Sequence, residues 1–222
     1  MKEKLLKAKV IIPVSVMAVL ITAAGIYFDQ NFLRLIPLYI SLFVMILSAG
    51  VSRYAYLLGS LNSILYSLIY LYYGLYGIAA QALLFSFPMQ MITFFRWKKN
   101  ADRDSVKLRK MSAAQRGICL AVFAAAWIVL YFVLKYVGSD YAVLDNTSTL
   151  MGVFTSVLTA LAYIEYTWIM LPAGVINILL YIRVIRENPE QTAYLIYSVY
   201  SLICVTIQFF NARALRKKQG EN

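Results

Sequence analysis

Six amides fall inside apolar runs of this chain: Asn62, Gln81, Gln90, Asn177, Gln208 and Asn211. An amide in hydrocarbon is costly unless it meets a partner, a water-filled cavity or a ligand. Hydrogen bonding between helices contributes about 0.6 kcal/mol a pair and accounts for any one of them. Six together point to a polar interior in which some touch a bound molecule. Tyr66, Tyr70, Tyr166, Trp168, Tyr197 and Tyr200 belong to the same segments. There a flat ring can stack on a planar heterocycle while amides bind its hydroxyls or carboxamide. The chemistry is recognition rather than catalysis. Histidine is absent, no carboxylate lies in the middle of an apolar run, and no serine or threonine has an evident activating base. Cys119 and Cys204 are far apart within apolar runs, which indicates neither a zinc site nor a disulfide framework. No G-x-x-x-x-G-K-[ST] is present, so a P-loop is excluded. No cofactor or metal is indicated.

Residues of this kind need a membrane-embedded scaffold to position them. With 62% hydrophobic and 14% charged residues, the 222-residue chain departs from soluble domains, which average about half and about a quarter. Apolar runs give eight expected spans, at about 10 to 28, 33 to 50, 54 to 72, 75 to 96, 116 to 137, 146 to 163, 166 to 185 and 191 to 212. The first is too long for a secretory h-region and lacks a clear cleavage site, and it reads as an uncleaved helix. With both termini cytoplasmic, all but four of the 21 basic residues face inside, the exceptions being Arg34, Lys135, Arg183 and Arg186. That satisfies the positive-inside rule. The net charge of +11 is then a topology signal rather than a nucleic-acid footprint. Residues 98–116 form the only long polar segment, expected to be a solvated basic loop that attracts anionic lipid. Tyr72, Tyr73, Tyr136, Tyr141 and Trp97 lie at span ends, where an interfacial aromatic belt explains them.

An internal repeat relates two spans. Gly59, Asn62 and Tyr66 form G-x-x-N-x-x-x-Y in the third span, and Gly174, Asn177 and Tyr181 repeat it in the seventh. Offsets of 3 and 7 put the three residues on one helical face. Spans four apart share an orientation, so the match predicts a parallel duplication with the substrate site at the repeat interface. The expected division is an N-terminal tail and extra helix at 1–32, a three-helix repeat at 33–97, and a basic loop with a connecting helix at 98–138. A second three-helix repeat follows at 139–215 and a tail at 216–222. Pro88, in FPMQ, removes one helical hydrogen bond, and Pro172 stands at the matching depth in the seventh span. Both are candidate kinks or hinges. Asp145 and Glu165, at the ends of the sixth span, are candidate structural or gating carboxylates.

The segments LGSLNSILYSLIYLYYGLYGIAAQALLF, with Gly59, Asn62, Tyr76 and Gln81, and LDNTSTLMGVFTSVLTALAYIEYTW, from Asp145 to Glu165, together with FNARA at Asn211, resemble the PnuC-type vitamin transporters, the nicotinamide riboside transporter family. The resemblance covers about residues 33 to 215. It implies an all-α polytopic membrane protein of about eight spans. One extra helix precedes a three-plus-one-plus-three core similar to full-length SWEET transporters. It also implies facilitated uptake of a vitamin-like nucleoside, trapped by phosphorylation through a separate kinase. In that family the glutamate matching Glu165 is followed by W-x-x-W-x-x-x-N. Here Thr167, Met170 and Gly174 hold those positions, with Trp168 and Asn177 nearby.

The resulting expectation is a facilitator in the bacterial inner membrane for nicotinamide riboside, or for another vitamin such as thiamine or riboflavin. Substrate contacts are expected from Asn62, Tyr66, Gln81, Gln90, Tyr166, Trp168, Met170, Asn177, Tyr200 and Asn211. A SWEET-like sugar carrier and a membrane sensor that binds without moving its ligand stay open. The expected partners are the substrate and membrane lipids, with a homo-oligomer left open and no nucleic acid.

Overall fold

A computed structural model describes residues 2–72, 82–99, 101–102, 105–137 and 142–220. Gln81, Tyr73, Tyr76 and Tyr141 fall outside the described residues, as do the side chains of Tyr70, Tyr72 and Asp145. Helices α1 (Lys2–Tyr27), α2 (Phe32–Ala49) and α3 (Tyr54–Tyr72) come first, and a π-helical turn, Ala82–Ser86, leads into α4 (Phe87–Lys99). A two-residue antiparallel ribbon follows, β1 (Ala101–Asp102) against β2 (Ser105–Val106). Then come α5 (Ala113–Val137), α6 (Ala142–Ala160), α7 (Tyr166–Glu187), a 3-10 turn at Pro189–Gln191, and α8 (Thr192–Gly220). Among the described residues, α2, α5, α7 and α8 are long and apolar enough to cross a membrane, and a shorter apolar helix spans Ile12–Tyr27.

Six helices close a ring. Helix α2 packs on α3, α3 on α4, α4 on α6, α6 on α7, α7 on α8, and α8 returns to α2. Between helices in lipid there is little hydrophobic drive, so close packing and polar ties must hold such a ring. Small residues permit the approach: Gly59 lies against the Gln90 side chain of α4, and Gly174 lies against Leu202 of α8. Helix α1 packs outside on α2 and α8, where Val14, Ile21 and Ala24 join Leu38, Leu42 and Tyr200 in one core cluster. Gly25 lets α1 approach Leu35. Helix α5 rests on α6 alone among the larger packing contacts, and none of its apolar window is buried. Its anchor is polar: Asn146 donates to the Trp127 carbonyl at 2.8 Å, and Trp127 Nε1 donates to Thr147 Oγ1 at 3.0 Å. Fully buried Asn146 was readable only as the start of a span.

The segment after α4 differs from the solvated loop expected of it. Val106, Leu108 and Met111 are buried in a second core cluster with Val51, Leu158, Tyr166 and Ala212. Arg109 forms a bridge to the α6–α7 turn, its N–H donating to Ala162 O at 2.8 Å and its carbonyl accepting from Ile164 N–H at 2.9 Å. Gln219 of α8 accepts from Leu108 N–H and donates to Val106 O. Basic residues alternate with apolar ones here, so the cations face outward while the strand-like backbone plugs the bundle end. Trp97 is likewise no belt residue. It is 1% exposed, because its indole N–H finds Thr159 O at 2.8 Å inside the same cluster. Tyr136, 93% exposed, does stand where a belt residue would. Val51 (φ 55°) and Ala162 (φ 56°) turn the chain in the left-handed region, a strain held by burial in this cluster.

Glu165 pins this end. It stands at the N-terminus of α7 without capping it, and Oε1 instead accepts from Met111 N–H and Arg116 Nε, both at 3.1 Å, with Arg116 Nη2 at 3.0 Å. Glu165→Ala leaves a loop N–H unpartnered and is expected to cost about 1–2 kcal/mol. The measurement is a lowered melting temperature with faster proteolysis across 105–112. A wild-type cleavage rate would mean the loop is held by its other contacts.

Candidate functional site

A half-open cavity of about 320 Å³ lies between α2, α3, the π-helical turn, α7 and α8. Its wall is set by helical spacing. On α8, Tyr194, Tyr197, Ser198 and Ser201 follow i, i+3, i+4, i+7 and make one hydroxyl-bearing stripe on the N-terminal half of the helix. On α7, Gly174, Asn177 and Tyr181 share a face, and α3 adds Ser63 and Tyr66. Leu38 of α2, with Ala82 and Ser86 of the π-helical turn, completes the lining. Tyr181 and Tyr194 stack with centroids 5.8 Å apart and planes at 17°. Among the described residues, none in the lining carries a charge. The described wall therefore offers hydroxyls, the Asn177 amide and aromatic faces, groups that can bind a polar heterocycle.

The two G-x-x-N-x-x-x-Y motifs play matched roles. Each glycine admits a neighbouring helix: Gln90 of α4 lies against Gly59, and Leu202 of α8 lies against Gly174. Each asparagine ties to a serine on the preceding helix of the ring. Asn62 Nδ2 donates to Ser41 Oγ at 2.9 Å, and Ser148 Oγ donates to Asn177 Oδ1. Each tyrosine, Tyr66 and Tyr181, lines the cavity. The difference lies in reach, since Asn177 also faces the cavity while Asn62 is spent on Ser41 and on Pro37 O at 3.1 Å.

Of the residues expected to contact substrate, Tyr66 and Asn177 line this cavity. Gln90 stands one bond behind it, donating to Ser63 Oγ at 2.9 Å. Tyr200 is buried in the α1–α2–α8 core and donates to Leu42 O, and Asn211 donates to Ala49 O at the end of α2. Met170 packs between the two core clusters. Trp168 is 58% exposed on an outer groove, under the Arg213 guanidinium. Pro88 falls at the second position of α4, directly after the π-helical turn, where its missing N–H costs little. Pro172, inside α7, faces the outer groove. The sequence reading passed over Ser63, Ser86, Tyr194, Ser198 and Ser201. The stripe on α8 was the signal available for three of them.

Tyr166 belongs to a closure beneath the cavity. Gln208 Nε2 donates to Tyr166 OH at 3.0 Å, and Ser48 Oγ donates to Gln208 Oε1 at 3.1 Å. Trp97 sits 4.8 Å from the Tyr56 ring and 6.4 Å from Tyr166, and reaches α6 through Thr159 O. Every helix of the ring thus contributes: α2, α3, α4, α6, α7 and α8. Leu38 and Ser48, or Tyr66 and Tyr56, are separated by ten residues, so cavity and closure lie about 15 Å apart along the bundle.

Residues 31–213 match the family model described as nicotinamide mononucleotide transporter. The chain belongs to that family. A solved structure titled as the crystal structure of the vitamin B3 transporter PnuC superimposes with a TM-score of 0.74 at 19% identity, covering 92% of this chain and 90% of that one. At that identity the likeness shows the fold, which is all-helical and PnuC-like. No curated protein sequence matches. The family and the superimposed structure are transporters, and the chain is a membrane protein of that class rather than an enzyme.

Proposed function

We propose that the transporter carries nicotinamide riboside, or a vitamin of the same cationic heterocyclic type, by uncoupled alternating access. The observation that carries this reading is the uncharged, tyrosine-rich lining of the cavity. At about 320 Å³ it lies at the small end of ligand pockets and suits a nucleoside better than a dinucleotide or a flavin. A pyridinium cation is attracted to tyrosine faces, while Asn177, Ser198 and Ser201 offer partners to ribose hydroxyls or a carboxamide. A 5′-phosphate would meet no cation in the lining, which favours the riboside over its mononucleotide. Among the described lining residues there is no carboxylate, which favours movement without proton or sodium coupling.

The parallel repeat draws support from the ring. Exchanging α2–α4 with α6–α8 leaves the order of neighbours unchanged, and the two G-x-x-N-x-x-x-Y motifs bond alike. The reading takes eight spans, with α1 added outside and α5 as the connector. The positive-inside rule orients both termini toward the cytoplasm of a bacterial inner membrane. In that orientation the cavity lies in the outer half and the Trp97–Tyr166–Gln208 closure in the inner half. Inward release then needs the closure to part.

Competition for riboside uptake into proteoliposomes tests the substrate. Thiamine, another aromatic cation, should compete in part, and the mononucleotide, riboflavin and glucose weakly. Equal competition by the mononucleotide would overturn the riboside reading, and competition by sugars alone would favour a sugar carrier. The two asparagines should separate in the same assay. Asn177→Leu is expected to weaken uptake about tenfold, the loss of one ligand hydrogen bond with a polar group left unpaired. Asn62→Leu should lower the melting temperature, costing about 1 kcal/mol, with little change in KM. Equal KM shifts in both variants would sink the distinction.

A further inference from the structure

A second groove lies outside the ring, walled by α5, α6, α7 and α8 at the end of the bundle that carries the buried loop. Its volume is about 730 Å³, more than twice that of the cavity. We infer that this groove is a binding site for an anionic diacyl phospholipid, with its phosphate at the basic mouth and its acyl chains along the apolar wall.

Charge carries the first part. Five cations converge on the groove from three separate segments: Lys110 of the loop, Arg116 at the start of α5, and Arg213, Arg216 and Lys217 at the end of α8. Among the described lining residues the carboxylate they face is Glu165, whose Oε1 is engaged by Arg116 and Met111 N–H. Bringing like charges together is unfavourable, and an anion at the mouth offsets it. Arg213 is already positioned for one. Its guanidinium stacks 4.0 Å from the Phe209 ring and 5.2 Å from the Trp168 ring, which fixes the plane of a fork suited to a phosphate.

Shape carries the second part. Behind the mouth, Leu120, Phe123, Phe154 and Pro172 give a continuous apolar wall between α5 and the ring. A free phosphate would leave that wall unused, whereas acyl chains fill it. The half-exposed Trp168 marks the level where headgroup and chain meet, as tryptophan does at membrane interfaces. A second copy of the chain in the same bilayer is a poorer occupant. Its own basic end would lie at the same depth, setting cations against cations.

The test is native mass spectrometry of the full-length protein in detergent, titrated with phosphatidylglycerol and with phosphatidylcholine of the same chains. Phosphatidylglycerol should be retained at least about tenfold better, since each basic residue contributes about fivefold. The triple variant Lys110→Gln, Arg213→Gln, Arg216→Gln should lose that preference. Arg213→Lys with Arg216→Lys, which keeps the charge and controls for folding, should retain most of it. Leu120→Trp fills the groove without touching a cation and should displace the lipid. Glycerol phosphate at the same concentration should not compete. Equal retention of both lipids, retention by the triple variant, or full competition by glycerol phosphate would each overturn the site. A loss of oligomer rather than of lipid in the Leu120→Trp variant would assign the groove to a second copy and overturn it as well.

Discussion

Proteoliposomes holding the transporter at 100 mV, inside negative, are expected to accumulate nicotinamide riboside about 50-fold. One elementary charge crossing that potential gains about 2.3 kcal/mol, and the riboside carries one positive charge. Among the described residues the cavity lining supplies no carboxylate to neutralise it or to bring a proton along. Uncoupled passage therefore carries a net charge on every cycle. The check is uptake of labelled riboside under a potassium diffusion potential, with pH and sodium equal on both sides. Collapsing the potential should return the distribution to parity, and a neutral analogue should not respond. Accumulation driven by a proton or sodium gradient at zero potential would refute the uncoupled reading.

Trp97→Ala is expected to be the most destabilising truncation in the closure, costing about 3–5 kcal/mol. The indole is almost fully buried, its edge meets Tyr56, and its N–H is the described tie from α4 to the end of α6. Removing it opens a void where the buried loop, Tyr166 and three ring helices meet, and leaves Thr159 O without this donor. Trp97→Phe should recover most of the packing and cost about 1–2 kcal/mol for the lost hydrogen bond. Denaturant titration of the detergent-solubilised protein measures both. An alanine variant unfolding at the wild-type midpoint would remove Trp97 from the closure.

The membrane class and the matched motifs were legible from the sequence because both are local properties. Hydrocarbon selects long apolar runs whatever their neighbours, and offsets of 3 and 7 fix a shared helix face for Gly174, Asn177 and Tyr181 before any packing occurs. The stripe Tyr194, Tyr197, Ser198, Ser201 was equally local and could have been read the same way. What composition could not supply was the identity of each residue's neighbour. Asn62 and Asn177 have the same spacing, yet Pro37 O absorbs the one while the cavity receives the other. Trp97 looked interfacial by position, because only the arrival of α6 provides the carbonyl that lets its indole be buried.

By itself, then, the sequence determined that the chain lives in a bilayer and which helix faces carry its amides and aromatic rings. Tertiary structure alone decided which of those groups meet. It assigned Tyr66 and Asn177 to the cavity, Tyr166 and Gln208 to the closure, and Trp168 to an outer groove. The reason is physical: helix periodicity sets the face a side chain occupies, whereas the partner across that face depends on which helices the ring brings together.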